Sequence, residues 1–196
     1  MANRNASITR KTKETNISLS LEIDGQGVSN IDTGIGFFDH MLEGFSKHGF
    51  FDLLVRIEGD LKVDGHHTVE DCGIVLGEAI KEALSDKKGI ARYGYFVLPM
   101  DEVLVLCSLD LSGRPYFSMD IDFPVERVGG FETELVREFF YAVACRAGMN
   151  LHFKMLESGN AHHMIEGMFK AFAKALDMAT KKDARITDVL STKGSL

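Results

Sequence analysis

Two segments of this chain place the same chemically capable side chains at the same spacing: His66-His67-Thr68-Val69-Glu70 and His162-His163-Met164-Ile165-Glu166. On a helix each glutamate stands three and four positions beyond its histidines, on the face they share. Adjacent histidines point about 100° apart, so each pair is suited to serve two ions on either side of its helix. Neutral imidazole nitrogen and carboxylate oxygen suit manganese, iron, cobalt or zinc. No thiolate falls within the pattern, which argues against a structural zinc site. Asp71 and Gly167 occupy the next position, so the motif matches neither metalloprotease pattern. The pairs supply four histidines and two glutamates, and His40 and His152 would raise this to six and two. Shared equally, each of two ions would hold three histidines and one glutamate, and an octahedral ion would keep positions open for substrate. His40, beside Asp39, reads equally as a histidine at the core edge, and His152, in an alternating strand, is as ambiguous.

A second set of residues suits an anion. Arg92, Arg114 and Ser191-Thr192-Lys193-Gly194 combine guanidinium forks, a hydroxyl and an ammonium, as phosphate recognition requires. Solvated surface is the competing reading. Glu14, between Lys13 and Thr15, is either a general acid–base or surface. His48 either favours the C-terminus of its helix or contacts substrate.

The elements that must carry these groups follow from periodicity. Residues 5–31 alternate apolar and polar, with Ile17, Leu19, Leu21 and Ile23 at every second place and a turn at Asp24-Gly25. Phe38, Met41, Leu42 and Phe45 keep the helical period up to Gly49, and residues 51–58 read as a strand. The first metal helix spans 66–86. Strands are expected at 93–98, 102–111 and 114–122, a helix from about Glu132 to Ala147, a strand at 150–157 and the second metal helix at 161–181. His66 and His162 are 96 positions apart, and that offset also aligns Val69 with Ile165, Leu76 with Phe172, Ala79 with Ala175 and Ile80 with Leu176. A shared apolar stripe alone would leave the polar positions unmatched. The matching histidines and glutamate therefore favour duplication of one α+β unit, with halves 1–90 and 91–196 packed as one globular body.

Composition sets bounds on function. The chain of 196 residues is 45% hydrophobic and 26% charged, ordinary values for a soluble globular protein. Its formal net charge of −7 argues against general nucleic-acid binding. No apolar run is long enough to cross a membrane, and Met1-Ala2-Asn3-Arg4-Asn5 has no apolar stretch for a signal peptide. Cys72, Cys107 and Cys145 are odd in number and sit among apolar neighbours, as reduced thiols of a cytoplasmic protein do.

The ordered motifs Thr33-Gly34-Ile35-Gly36-Phe37-Phe38-Asp39-His40-Met41-Leu42, Asp64-Gly65-His66-His67-Thr68-Val69-Glu70-Asp71, Pro99-Met100-Asp101-Glu102, Asp110-Leu111-Ser112-Gly113-Arg114-Pro115, Asn160-Ala161-His162-His163 and Ser191-Thr192-Lys193-Gly194 closely resemble the imidazoleglycerol-phosphate dehydratases of histidine biosynthesis. The resemblance covers essentially the whole chain. It implies two duplicated α+β halves similar to the second domain of ribosomal protein S5, two manganese ions per site, and trimers assembling into a 24-subunit shell with sites between subunits. Carried over, the metal ligands are His40, His66, His67, Glu70, His152, His162, His163 and Glu166. Glu14, His40, Glu70 and Glu166 become catalytic, and Glu14, His48, Arg92, Arg114, Lys170, Ser191 and Lys193 contact substrate. Gly65 stands where a second aspartate is common and Leu190 where proline is. The implied reaction converts imidazole glycerol phosphate to imidazole acetol phosphate, through a manganese-bound imidazolate that expels hydroxide to give a diazafulvene. Two rivals remain: a metal-dependent phosphate-ester hydrolase, which would release inorganic phosphate, and a metal-storage protein, which would bind ions without turnover.

Overall fold

The structure is a computed structural model that describes residues 4–196; Met1-Ala2-Asn3, part of the segment read above for a leader, lies outside the described residues. Strands β1 (Asn5–Lys11) and β2 (Thr15–Glu22) form an antiparallel hairpin in which Ile17, Leu19 and Leu21 are buried and the residues between them face outward. Strand β3 (Ser29–Asp32), helix α1 (Gly36–Gly49), strand β4 (Asp52–Gly59) and helix α2 (His66–Leu84) complete the first half. The second half repeats the order. It comprises β5 (Tyr93–Met100), β6 (Val103–Asp110), β7 (Tyr116–Met119), α3 (Leu135–Ala147), β10 (Asn150–Glu157) and α4 (Ala161–Thr180). A small ribbon of β8 (Arg127–Val128) and β9 (Phe131–Glu132) is inserted before α3.

The two sheets share one topology. The first is ordered β1-β2-β4-β3 and the second β5-β6-β10-β7; in each, the third position in the sheet is antiparallel to the second and parallel to the fourth. The duplicated α+β architecture expected from the histidine pairs is therefore borne out. Phe50 (φ 60°) closes α1 in the left-handed conformation, and Gly148 (φ 64°) closes α3 in the same way. Glycine suits that conformation and phenylalanine does not; the Lys174 ammonium lies 4.8 Å from the centre of the Phe50 ring.

The helices form the middle of the molecule. Helix α2 packs on β1, β2 and β4 and against α3, while α4 packs on β5 and β6 and against α1. Phenylalanines fill the seam: Phe140 meets Phe153 at 4.7 Å and Phe169 at 4.8 Å, and Phe38 meets Phe139 at 5.3 Å. Glycines let α2 and α3 approach, since a Cβ on Gly73 would lie 2.6 Å from the Phe139 carbonyl oxygen and one on Gly77 2.7 Å from that of Val143.

Three boundaries differ from the periodicity. Helix α3 begins at Leu135, because Phe131–Glu132 pair with Arg127–Val128 and Thr133 donates back to Glu126. Only Tyr116–Met119 of the stretch 114–122 pairs as strand, and α2 ends at Leu84 where Ser85 takes φ 49°. Cys72 and Cys107 are buried free thiols, as expected, whereas Cys145 is half-buried. Among the described residues, no helix is long and apolar enough to cross a membrane.

Candidate metal and active site

Each metal helix starts from a polar side chain two residues before its first histidine. The Asn160 side-chain oxygen accepts from the His162 amide at 2.8 Å, and the Asp64 carboxylate accepts from the His66 amide at 2.8 Å. Asn160 is the N-cap of α4, while Asp64 precedes the Gly65 N-cap of α2; both bonds hold the entry to the helix, so both histidine pairs sit in a first turn with their glutamate one turn on.

On α4 the consequence is a three-ligand group. Glu166 Oε2 lies 3.2 Å from His162 Nε2 and 3.9 Å from His40 Nε2, which α1 brings across. The ring of Phe37 stands edge-on to His162 at 5.1 Å. Lys170 occupies the other oxygen, Glu166 Oε1, at 2.6 Å. Burial opposes ionisation of Glu166, but the Lys170 ammonium outweighs it and holds the carboxyl below its usual range. His48, near the end of α1, is pushed down from the ordinary histidine range by desolvation and by Lys170 and Lys174.

On α2, His66 Nε2 lies 3.7 Å from Glu70 Oε2. The second histidine of each pair is held from outside its helix. His67 Nδ1 donates to both Asp60 oxygens at 3.0 and 3.1 Å, while its Nε2 is 3.8 Å from Glu14. His163 Nδ1 donates to Glu102 at 3.0 Å, and its Nε2 is 3.8 Å from Asp101. Both imidazoles are raised above the ordinary value by these carboxylates. Nothing local in the sequence marks Asp60, Asp101 and Glu102 as partners of these histidines; they lie in the connections after β4 and β5, and only the fold shows what they face.

His152 stands apart from the other candidates. Leu151 and Phe153 are buried against the helices, so strand alternation puts His152 on the outer face of the second sheet, beside Tyr116 at 5.3 Å. The chain's own fold does not bring it to the other histidines. The repeat gives His40 a counterpart in Glu138. The offset of 98 between Phe50 and Gly148 carries His40 onto Glu138. Leu135 approaches Gly65, and Ala142 approaches Gly73; Glu138 falls between them on the same row of α3. That offset differs by two residues from the 96 of the histidine pairs, and so a single alignment shift conceals it.

The anion-binding candidates lie elsewhere. Arg92 is largely buried; its Nε and Nη2 donate to Asp110 at 2.7 and 3.0 Å, and its Nη1 donates to the Leu190 carbonyl at 2.6 Å. It thereby anchors the segment bearing Ser191, and with Tyr93, Ser191 and Thr192 it lines a recess that contains none of the paired histidines. Arg114 and Lys193 are exposed, free of acidic partners among the described ion pairs.

The donor set fits a divalent ion. His40, His162 and Glu166 offer ligand atoms within 4.8 Å of one another, as do Asp101, Glu102 and His163. Nitrogen and oxygen donors at that separation can surround one ion at bond lengths of about 2.0–2.3 Å, and three of them leave coordination positions for more ligands or for substrate.

Known proteins resemble this chain along its whole length. The sequence model of the family "Imidazoleglycerol-phosphate dehydratase" matches residues 33–176. The imidazoleglycerol-phosphate dehydratase of Lachnoclostridium phytofermentans is 61% identical over 99% of each chain, and that of Acetivibrio thermocellus is 62% identical over 98% of this chain and 99% of its own. Among solved structures, the Staphylococcus aureus imidazoleglycerol-phosphate dehydratase superposes with TM-score 0.82 at 42% identity, covering 91% of this chain and 99% of that one. The Pyrococcus furiosus enzyme, in complex with (S)-C348, superposes with TM-score 0.83 at 36% identity, covering 96% and 100%. A fold duplicated around two histidine pairs, matched along its whole length at this identity, belongs to the imidazoleglycerol-phosphate dehydratase family, hydro-lyases of histidine biosynthesis.

Proposed function

We propose that this hydro-lyase removes water from imidazole glycerol phosphate in the cytoplasm, at sites that take two manganese ions each. The observation that carries this reading is the group His40, His162 and Glu166, with Lys170 tying down the carboxylate oxygen not needed for an ion. His66, His67, Glu70 and His163 are the further ligands, joined by Glu138 where the sequence had suggested His152. Bound divalent ions would supply Lewis acidity to the nitrogens of the substrate's imidazole, favouring loss of hydroxide from the carbon beside the ring.

The chain's own side chains do the rest. Glu14 presents a carboxylate 3.8 Å from His67 Nε2, within reach of a ring seated there, and takes the C–H proton whose loss gives the enol that becomes the ketone. Arg114, Ser191 and Lys193 hold the phosphate, and Arg92 fixes the backbone that carries Ser191. Phosphate binding far from the reacting carbon orients the ring at no cost to the chemical step. His48 and Lys170 line the approach at the end of α1. The recess at Ser191 contains no paired histidine, and the three-ligand groups are incomplete shells. A second copy of the chain would complete both, consistent with trimers and a 24-subunit shell.

Incubating the protein with imidazole glycerol phosphate and manganese, then reading the enolised ketone in alkali, tests the proposal. Inorganic phosphate in place of ketone would favour a hydrolase instead.

A further inference from the structure

Strand register makes Glu14 and Glu102 counterparts in the two halves. Ile8 pairs with Leu19 as Phe96 pairs with Cys107, and Leu19 pairs with Val55 as Cys107 pairs with Phe153. Following the chain into the two hairpin turns sets Glu14 against Glu102. The two carboxylates are nevertheless employed differently. Glu102 is committed, accepting from His163 Nδ1 at 3.0 Å and from the Asn160 amide at 2.6 Å. Glu14 stays off the equivalent atom, because His67 Nδ1 is already taken by Asp60. Asp60 follows β4; β10 shifts register by one residue between Met155 and Glu157, and the residues that follow it, Ser158 and Gly159, carry no carboxylate. The Asp60 amide also donates to the Glu14 carbonyl at 3.1 Å, tying the two turns together.

We infer that Asp60 is a positioning residue that holds the His67 imidazole by Nδ1, turns Nε2 outward, and so leaves the Glu14 carboxylate free for the reaction. An ionised carboxylate only accepts hydrogen bonds, so the proton sits on Nδ1 and the lone pair on Nε2. Groups that orient a ligating histidine in this way set its tautomer and strengthen its donation. Each half keeps one acid on Nδ1 and a second 3.8 Å from Nε2, Glu14 in the first and Asp101 in the second; the halves differ in that Glu14, the counterpart of the acid bound to Nδ1 in the second half, is released from that bond by Asp60. The part of this inference that concerns catalysis rests on the proposed function; the part that concerns the imidazole does not.

The test uses D60S, which removes the carboxylate and keeps a small polar side chain, with E14Q and the double variant. Histidine ring nitrogen NMR on the metal-free protein should show Nδ1–H at His67 in the parent and a mixture of tautomers in the double variant. Manganese titration should show affinity lowered roughly 10–100-fold in the double variant. D60S alone should be affected less, because Glu14 swings onto Nδ1 as Glu102 does in the other half; its kcat should fall with KM for substrate nearly unchanged. E14Q alone should bind manganese within about twofold of the parent, as an acid without a share in the imidazole bond does. An unchanged His67 tautomer and unchanged manganese affinity in the double variant would overturn the inference. If the parent bound no manganese, the proposed function would fall while the NMR comparison still decided the role of Asp60.

Discussion

Replacing Asp71 with alanine should loosen the fold and the catalytic turn together. Asp71 is buried on α2, next to Glu70, and accepts from Thr15 Oγ1 at 2.5 Å and from Arg10 Nε and Nη2 at 3.1 and 2.9 Å. Deleting one partner of a buried ion pair costs about 3–5 kcal/mol. Here the Arg10 side chain is 35% exposed and recovers water, and the Thr15 hydroxyl keeps a contact with Thr12 at 3.2 Å. Screening and these residual partners bring the expected loss to about 2–3 kcal/mol. Urea unfolding should show a lower midpoint with an unchanged slope. The same bonds brace the turn in which Thr12 Oγ1 accepts from the amides of Glu14 and Thr15, so kcat should fall about tenfold, equivalent to about 1.4 kcal/mol, while KM changes little. D71N should lie between the parent and D71A in both assays. A D71A protein within about 0.5 kcal/mol of the parent and equally active would refute the reasoning.

Other consequences follow from the packing, the charges and the anion site. G77A should cost about 1–3 kcal/mol, read by the same unfolding assay, because its Cβ would meet the Val143 carbonyl and Arg146; a neutral change would mean α3 can retreat freely. The Glu102 carboxyl is held down to about 2 from an ordinary 4.5, first by the Asn160 amide and then by His163. Its stabilisation is therefore present in full above pH 4.5 and lost as pH falls through about 2. E102Q should begin acid unfolding at higher pH than the parent, and superimposable acid curves would contradict that. R114A should raise KM for the phosphorylated substrate roughly tenfold or more, the equivalent of one charge-assisted hydrogen bond, with kcat less affected; an unchanged KM would remove Arg114 from the phosphate site.

What the sequence could disclose depended on how local the cause was. The histidine pairs, their glutamates and the apolar stripes beneath them are local patterns, and the duplicated fold followed from their matching offset. The outward placement of His152 and the counterpart relation of Glu138 to His40 were out of reach because they depend on strand and helix faces and on the register between the halves. The halves also drift in register, 88 residues between the hairpins, 98 between α1 and α3, and 96 between the histidine pairs. Asp60 and Glu102 were hidden because each acts from a turn on a histidine in another element. Arg92 was visible as a cation, but its pairing with Asp110 and the Leu190 carbonyl is a tertiary fact.

The most direct test of the account is where manganese settles. Crystals grown with manganese, with diffraction recorded at its absorption edge, should show anomalous peaks about 2.0–2.3 Å from Nε2 of His40 and His162 and from Glu166, and further peaks beside His66, with Glu70 and Glu138 as the proposed ligands. Well-diffracting crystals of active protein with no anomalous peak at any paired histidine would contradict it.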